Sequence, residues 1–129
     1  MASRIIFGAL IALNLYSNAN AVTIHNDRGG EVIGYSIRAQ KMKSVRFNGA
    51  CISACTLYLM IQDKCITPRA KFGFHLAYGA SERVNKAATQ HMWAKYPQWV
   101  RDWITAQGGL TSRMIYMPYS YAGKFIRGC

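Results

Sequence analysis

The sequence predicts a single α/β domain, a small and mostly parallel sheet flanked by helices. Two observations lead to this expectation. Short β-type runs and helical stretches follow one another in the order strand, helix, strand, helix, strand, strand, helices. That alternation calls for parallel βαβ units joined by right-handed crossovers. The chain has 129 residues, and once a leader at residues 1–21 is set aside, residues 22–129 suffice for one hydrophobic core.

The leader reads as a secretory signal peptide. Arg4 provides a short basic head, Ile5 to Leu13 an apolar middle, and Ala19-Asn20-Ala21 a small-residue exit. The apolar run is shorter than the roughly 20 residues a spanning helix needs. Val22-Thr-Ile-His25 is then a short strand, and Asn26-Asp-Arg-Gly-Gly30 a dense turn signal. Glu31 to Lys43 is expected to be a helix, with Val32, Tyr35, Ile37 and Met42 among polar residues. Ser44 to Phe47 follows as a strand, with a turn at Asn48-Gly49. The almost wholly apolar Ser53–Gln62 stretch fits a buried helix, although its pattern alone does not separate helix from strand.

Cys65-Ile-Thr67 is a strand stopped by Pro68, and Lys71 to His75 is another. Ser81 caps a helix that starts at Glu82. Met92, Tyr96, Trp99, Val100, Trp103 and Ile104 recur at helical spacing. Pro97 divides that stretch into two helices or kinks it, and Gly108-Gly109 ends it. A last short helix is expected from Pro118 to Gly123. The Trp93, Trp99, Trp103 and Tyr96 set reads as core or as a subunit face.

The full chain has a net charge of +11. Its basic residues are scattered from Arg28 to Arg127 without a Lys/Arg run or a basic helix, so no nucleic-acid partner is expected. The charge draws the protein toward anionic envelope surfaces. Cys51, Cys55, Cys65 and Cys129 form an even set, which in an oxidising compartment means two disulfides. Four cysteines allow three pairings. Cys-x3-Cys without a nearby Cys/His pair matches metal spacing poorly, so neither a metal nor a cofactor is expected.

The residues able to carry chemistry lie in one stretch. If Ser53 sits where a strand turns into a buried helix, its hydroxyl projects from the sheet edge beside the helix's unpaired backbone N–H groups. Those groups can hold an oxyanion, and Gly29-Gly30 can bring a second backbone donor close. His75, at the end of a later parallel strand, lies on the same edge and can act as general base. Each residue also has a plainer reading: Ser53 as an N-cap, Gly29-Gly30 as a turn, His75 as a core histidine. His25 and His91 are assigned no role.

Taken together, Ile24-His-Asn-Asp-Arg-Gly29-Gly30, Gly49-Ala-Cys-Ile-Ser53-Ala-Cys55 and Lys71-Phe-Gly-Phe-His75 resemble the Clp protease proteolytic subunit and the wider Clp/crotonase superfamily. Within it they look most like the small periplasmic Clp-protease-like proteins. The resemblance covers about Val22 to Tyr78, and the Ser53–His75 separation of 22 residues is close to the family's. It implies Clp/crotonase-like ββα-type units, truncated because the family's strands before the Gly-Gly turn are missing, with a partner chain filling the open edge. It also implies Ser53 as nucleophile, His75 as base, and the N–H groups of Gly30 and Ala54 as oxyanion hole. The family's orienting acid has no match in Thr111–Ile115, which leaves Asp102, in the aromatic helix, as the residue able to orient His75, its plainer reading being an exposed helix-face aspartate. With Ser53 opening the helix, Cys51 and Cys55 flank the elbow, which favours Cys51–Cys55 together with Cys65–Cys129.

The expectation is therefore an exported serine hydrolase or peptidase acting on a peptide or a small ester or amide through a Ser-His pair. The alternative is a catalytically inactive Clp-fold protein of the periplasm that binds a partner or forms a homo-oligomer. A third reading is a cationic exported protein that contacts anionic surfaces by charge alone.

Overall fold

A computed structural model describes residues 21–129, so all of the expected leader except Ala21 lies outside the described residues. The chain forms a mixed sheet with helices packed against it. The first strand, β1 (Ala21–Asp27), leads through the Arg28–Gly30 turn to helix α1 (Val32–Lys41). Strand β2 (Ser44–Ile52) runs into a 3-10 helix (Ser53–Met60), followed by β3 (Asp63–Ile66) and β4 (Lys71–Phe74). Helices α2 (Glu82–Lys95) and α3 (Gln98–Ala106) come next, then β5 (Ile115–Pro118), α4 (Tyr119–Ala122) and β6 (Arg127–Gly128).

β2 organises the sheet. β1 pairs with it in parallel, from Ala21 opposite Ser44 to Asp27 opposite Cys51. The other edge of β2 is shared between two strands. β3 takes Ser44–Phe47 and β4 takes Ala50–Ile52, both parallel. β6 extends the sheet beyond β3, and β5 closes the β4 side antiparallel. β2 therefore alternates buried Val45, Phe47, Gly49 and Cys51 with less buried neighbours, as a strand covered on one face should.

One expectation changes. Asn48-Gly49 does not turn the chain; β2 continues through it, and the β1 register shifts there by one residue. This is a bulge that only glycine permits, since a Cβ on Gly49 would sit 1.3 Å from the His25 carbonyl oxygen. The Asn26 side chain patches the gap by accepting from the Ala50 N–H at 3.2 Å. The buried helix expected over Ser53–Gln62 is present as Ser53–Met60, wound as a 3-10 helix. The Thr56 hydroxyl donates to the Ser53 carbonyl at 2.6 Å, an i to i−3 link that suits the tighter winding. The sheet is mostly parallel, as expected, with β5 running against β4.

The helices follow local signals closely. The Glu31 carboxylate caps α1, accepting from Ile33 and Gly34, and those bonds hold its pKa below the usual carboxylate value. Ser81 caps α2 through the Val84 N–H. Pro97 separates α2 from α3, and left-handed Gly108 and Gly109 end α3. The core gathers Phe47, Leu57, Leu59, Phe72, Phe74, Ile104 and Met117, all with 1% exposure or less. Tyr96 and Trp103 pack on Phe74, so this part of the aromatic set is core. Both expected disulfides, Cys51–Cys55 and Cys65–Cys129, are present.

Candidate active site

Ser53 stands where β2 ends and the 3-10 helix begins. Its φ of 58° makes it the one non-glycine residue with a positive φ among the described residues. An L-residue reaches that region at an expense of about 1–2 kcal/mol, so surrounding structure must hold it there. Three contacts do so. The Cys51–Cys55 bond spans the junction. The Thr56 hydroxyl clasps the Ser53 carbonyl and bonds the hydroxyl of Tyr96 at 2.6 Å. Burial raises the Tyr96 pKa and outweighs the Thr56 bond, which lowers it, so the phenol stays protonated.

The third contact comes from Gly29-Gly30. A Cβ on Gly29 would lie 2.6 Å from the Ile52 carbonyl oxygen, 2.9 Å from the Ala54 nitrogen and 2.9 Å from the Ser53 Cβ. The turn is thus pressed against the elbow, which no residue larger than glycine would allow at its φ of +85°. Asp27 shapes the turn by accepting from the Gly29 N–H at 2.8 Å and from the Tyr35 hydroxyl at 2.6 Å. Burial and the Asp27 carboxylate push the Tyr35 phenol up to about 12. The Ala54 N–H lies in the first turn of the 3-10 helix, where no partner exists within the helix.

His75 directly follows β4. Ile52 is registered against Gly73, so Ser53 and His75 leave the same end of two neighbouring parallel strands, which run about 4.8 Å apart. The His75 Nδ1 bonds the Leu76 carbonyl, and its ring packs 5.3 Å from that of Tyr78. With Nδ1 carrying the proton, Nε2 is left with its lone pair. No hydrogen bond joins Ser53 to His75 among the described residues. Asp102 is exposed on α3, where its carboxylate accepts from Gln98 at 2.7 Å. The Leu76 carbonyl, not Asp102, occupies the orienting position on the His75 ring.

No protein-family model and no curated protein matches the chain.

Sequence reasoning missed Asp27, Tyr35, Thr56 and Tyr96, which brace the elbow. Asp27 had a readable signal, because an Asp two residues before a glycine is a ready Asx-turn. Tyr35 and Tyr96 carried none, since their partners come from other elements. Ser36 and His91 were also passed over, and they meet across α1 and α2 at 3.0 Å. Among the described residues no cluster of three or more His, Cys, Asp or Glu is placed to hold a metal ion. No described helix is long and apolar enough to cross a membrane.

Proposed function

We propose that the chain is an exported serine hydrolase of the Clp-protease-like type, cutting an ester or amide through an acyl-enzyme on Ser53. The observation that carries this reading is the strained Ser53 backbone, φ 58°, at a strand-to-helix junction with Gly29 packed against it. A serine at such an elbow presents its hydroxyl beside backbone N–H groups. Export is supported by the two disulfides, which an oxidising compartment maintains.

In this mechanism the Ser53 Oγ attacks the carbonyl carbon while the His75 Nε2 takes its proton. The oxyanion that forms is held by the N–H groups of Gly30 and Ala54. Collapse breaks the bond to the leaving alcohol or amine, which receives the proton from His75. Water then enters, gives a proton to Nε2 and releases the acid. The Leu76 carbonyl fixes the tautomer but carries no charge, so it stabilises the imidazolium less than a carboxylate would, and a slow enzyme is expected.

A fluorophosphonate probe tests the reading. The oxidised protein should label, and Ser53→Ala and His75→Ala should not. A folded protein that does not label refutes it. A second reading, an inactive binding protein, is favoured by the missing Ser53–His75 hydrogen bond and would give that outcome.

A further inference from the structure

A cleft of about 710 Å³ opens beside the elbow, between α1, the loop after β4 and the first half of α2. Its size falls within the roughly 300–1,000 Å³ of pockets that enclose small ligands. Gly30 and Tyr78, the latter packed on His75, are its links to the elbow, while Ser53 and His75 do not themselves line it. The walls are the side chains of Ile33, Ile37, Val84, Ala87 and Ala88. Ile33, Val84 and Ile37 are 65%, 55% and 47% exposed, unusual for branched aliphatics. Among the described residues no Lys or Arg lines the cleft, although the chain is strongly basic. The occupant it suits is therefore neutral and apolar.

The polar groups in the cleft narrow the choice further. The Glu31 carboxylate is taken by the Ile33 and Gly34 N–H groups. The Asn85 side chain bonds both the N–H and the carbonyl of Ala80. The Ser36 Oγ and His91 Nε2 satisfy one another at 3.0 Å and tie α1 to α2. The Gln40 amide and the Tyr78 hydroxyl are the lining side-chain groups left to bond a ligand, too few for a peptide, which would bring one N–H and one carbonyl per residue at a desolvation penalty for each left unpaired. A hydrocarbon chain makes no such demand.

We propose that the cleft seats the unbranched acyl chain of an ester or amide, with its carbonyl at Gly30 and its tail running along α1 past Ser36 toward Gln40. The position of the carbonyl rests on the Ser53 reading; the seat of the tail does not. Val32 to Gln40 rises about 12 Å, the span of roughly ten carbons in a zigzag of about 1.5 Å bonds.

Calorimetric titration of oxidised Ser53→Ala protein with methyl esters, from butanoate to decanoate, tests the inference without requiring turnover. Affinity should rise about four-fold per added methylene. Ala88→Trp, which fills the cleft, should abolish that dependence. Ile37→Lys, at an exposed wall position, should do the same should the tryptophan variant misfold. Affinity that does not grow with length, or no binding by the folded protein, overturns the proposal. Tighter binding of an apolar tripeptide amide than of methyl decanoate overturns it and makes the cleft a peptide site. A doubled mass in light scattering that blocks the titration overturns it and assigns the face to a second copy. Length-dependent binding with no cleavage by the wild type supports the acyl seat and removes the Ser53 mechanism.

Discussion

Ser53 is held in a left-handed backbone conformation by a disulfide, a threonine hydroxyl and a glycine turn. Replacing it with glycine removes the steric penalty but adds chain entropy to the unfolded state. The first effect is the larger, so Ser53→Gly should stabilise the fold by about 0.5–1 kcal/mol. Ser53→Ala keeps the strain and should leave stability nearly unchanged. Thermal unfolding of the two variants beside the wild type measures the difference. Equal midpoints for glycine and alanine would show that the elbow is not strained. A more stable glycine variant is what an elbow that trades stability for geometry should give.

At the scale of elements, α1 is joined to the elbow through the bond from Tyr35 to Asp27. The Tyr35 phenol titrates at about 12 in the folded chain against 10.0 for the free side chain, so the folded state keeps a proton that the unfolded state releases. The stability this shift contributes is therefore fully present below pH 10 and is lost as pH rises through about 12. Tyr35→Phe should flatten that decline, as urea midpoints taken from pH 9 to 12 would show; an unchanged slope would exclude Tyr35 as its source. Much at this scale was legible in the sequence, because Ser81, Pro97 and Gly108-Gly109 act on their own neighbours. Other features depend on distant partners. Asn48-Gly49 suits a turn and a bulge equally, and only β1 lying alongside decides between them. The uniformly apolar Ser53–Met60 run has no period from which to choose a winding. β5 and the two-residue β6 exist through pairing with β4 and β3 and carry no pattern of their own. Likewise, Ser53 and His75 could be placed at strand ends from local sequence, while the braces around them could not.

For the whole molecule, the two disulfides divide their roles. Cys51–Cys55 closes a loop of four residues, and Cys65–Cys129 one of 64. On the chain-entropy argument the short loop contributes about 2 kcal/mol and the long one about 4. The double variant Cys65→Ala/Cys129→Ala should therefore lose more stability than Cys51→Ala/Cys55→Ala, while the latter should lose more fluorophosphonate labelling. Unfolding midpoints and labelling on the same samples read both, and a reversed order in either would refute the division. The long bond also secures β6 to β3, where the Asp63–Arg127 ion pair is too exposed to add much.

The separation of these cysteines has a consequence for biogenesis. Cys51 and Cys55 lie four residues apart and can join as soon as both reach an oxidising compartment, whereas Cys65 waits for a partner 64 residues away. During that wait Cys65 lacks its native partner. Early closure of the short bond removes the two thiols with which it could mispair, so the tightest loop in the molecule also acts as proofreading for the widest.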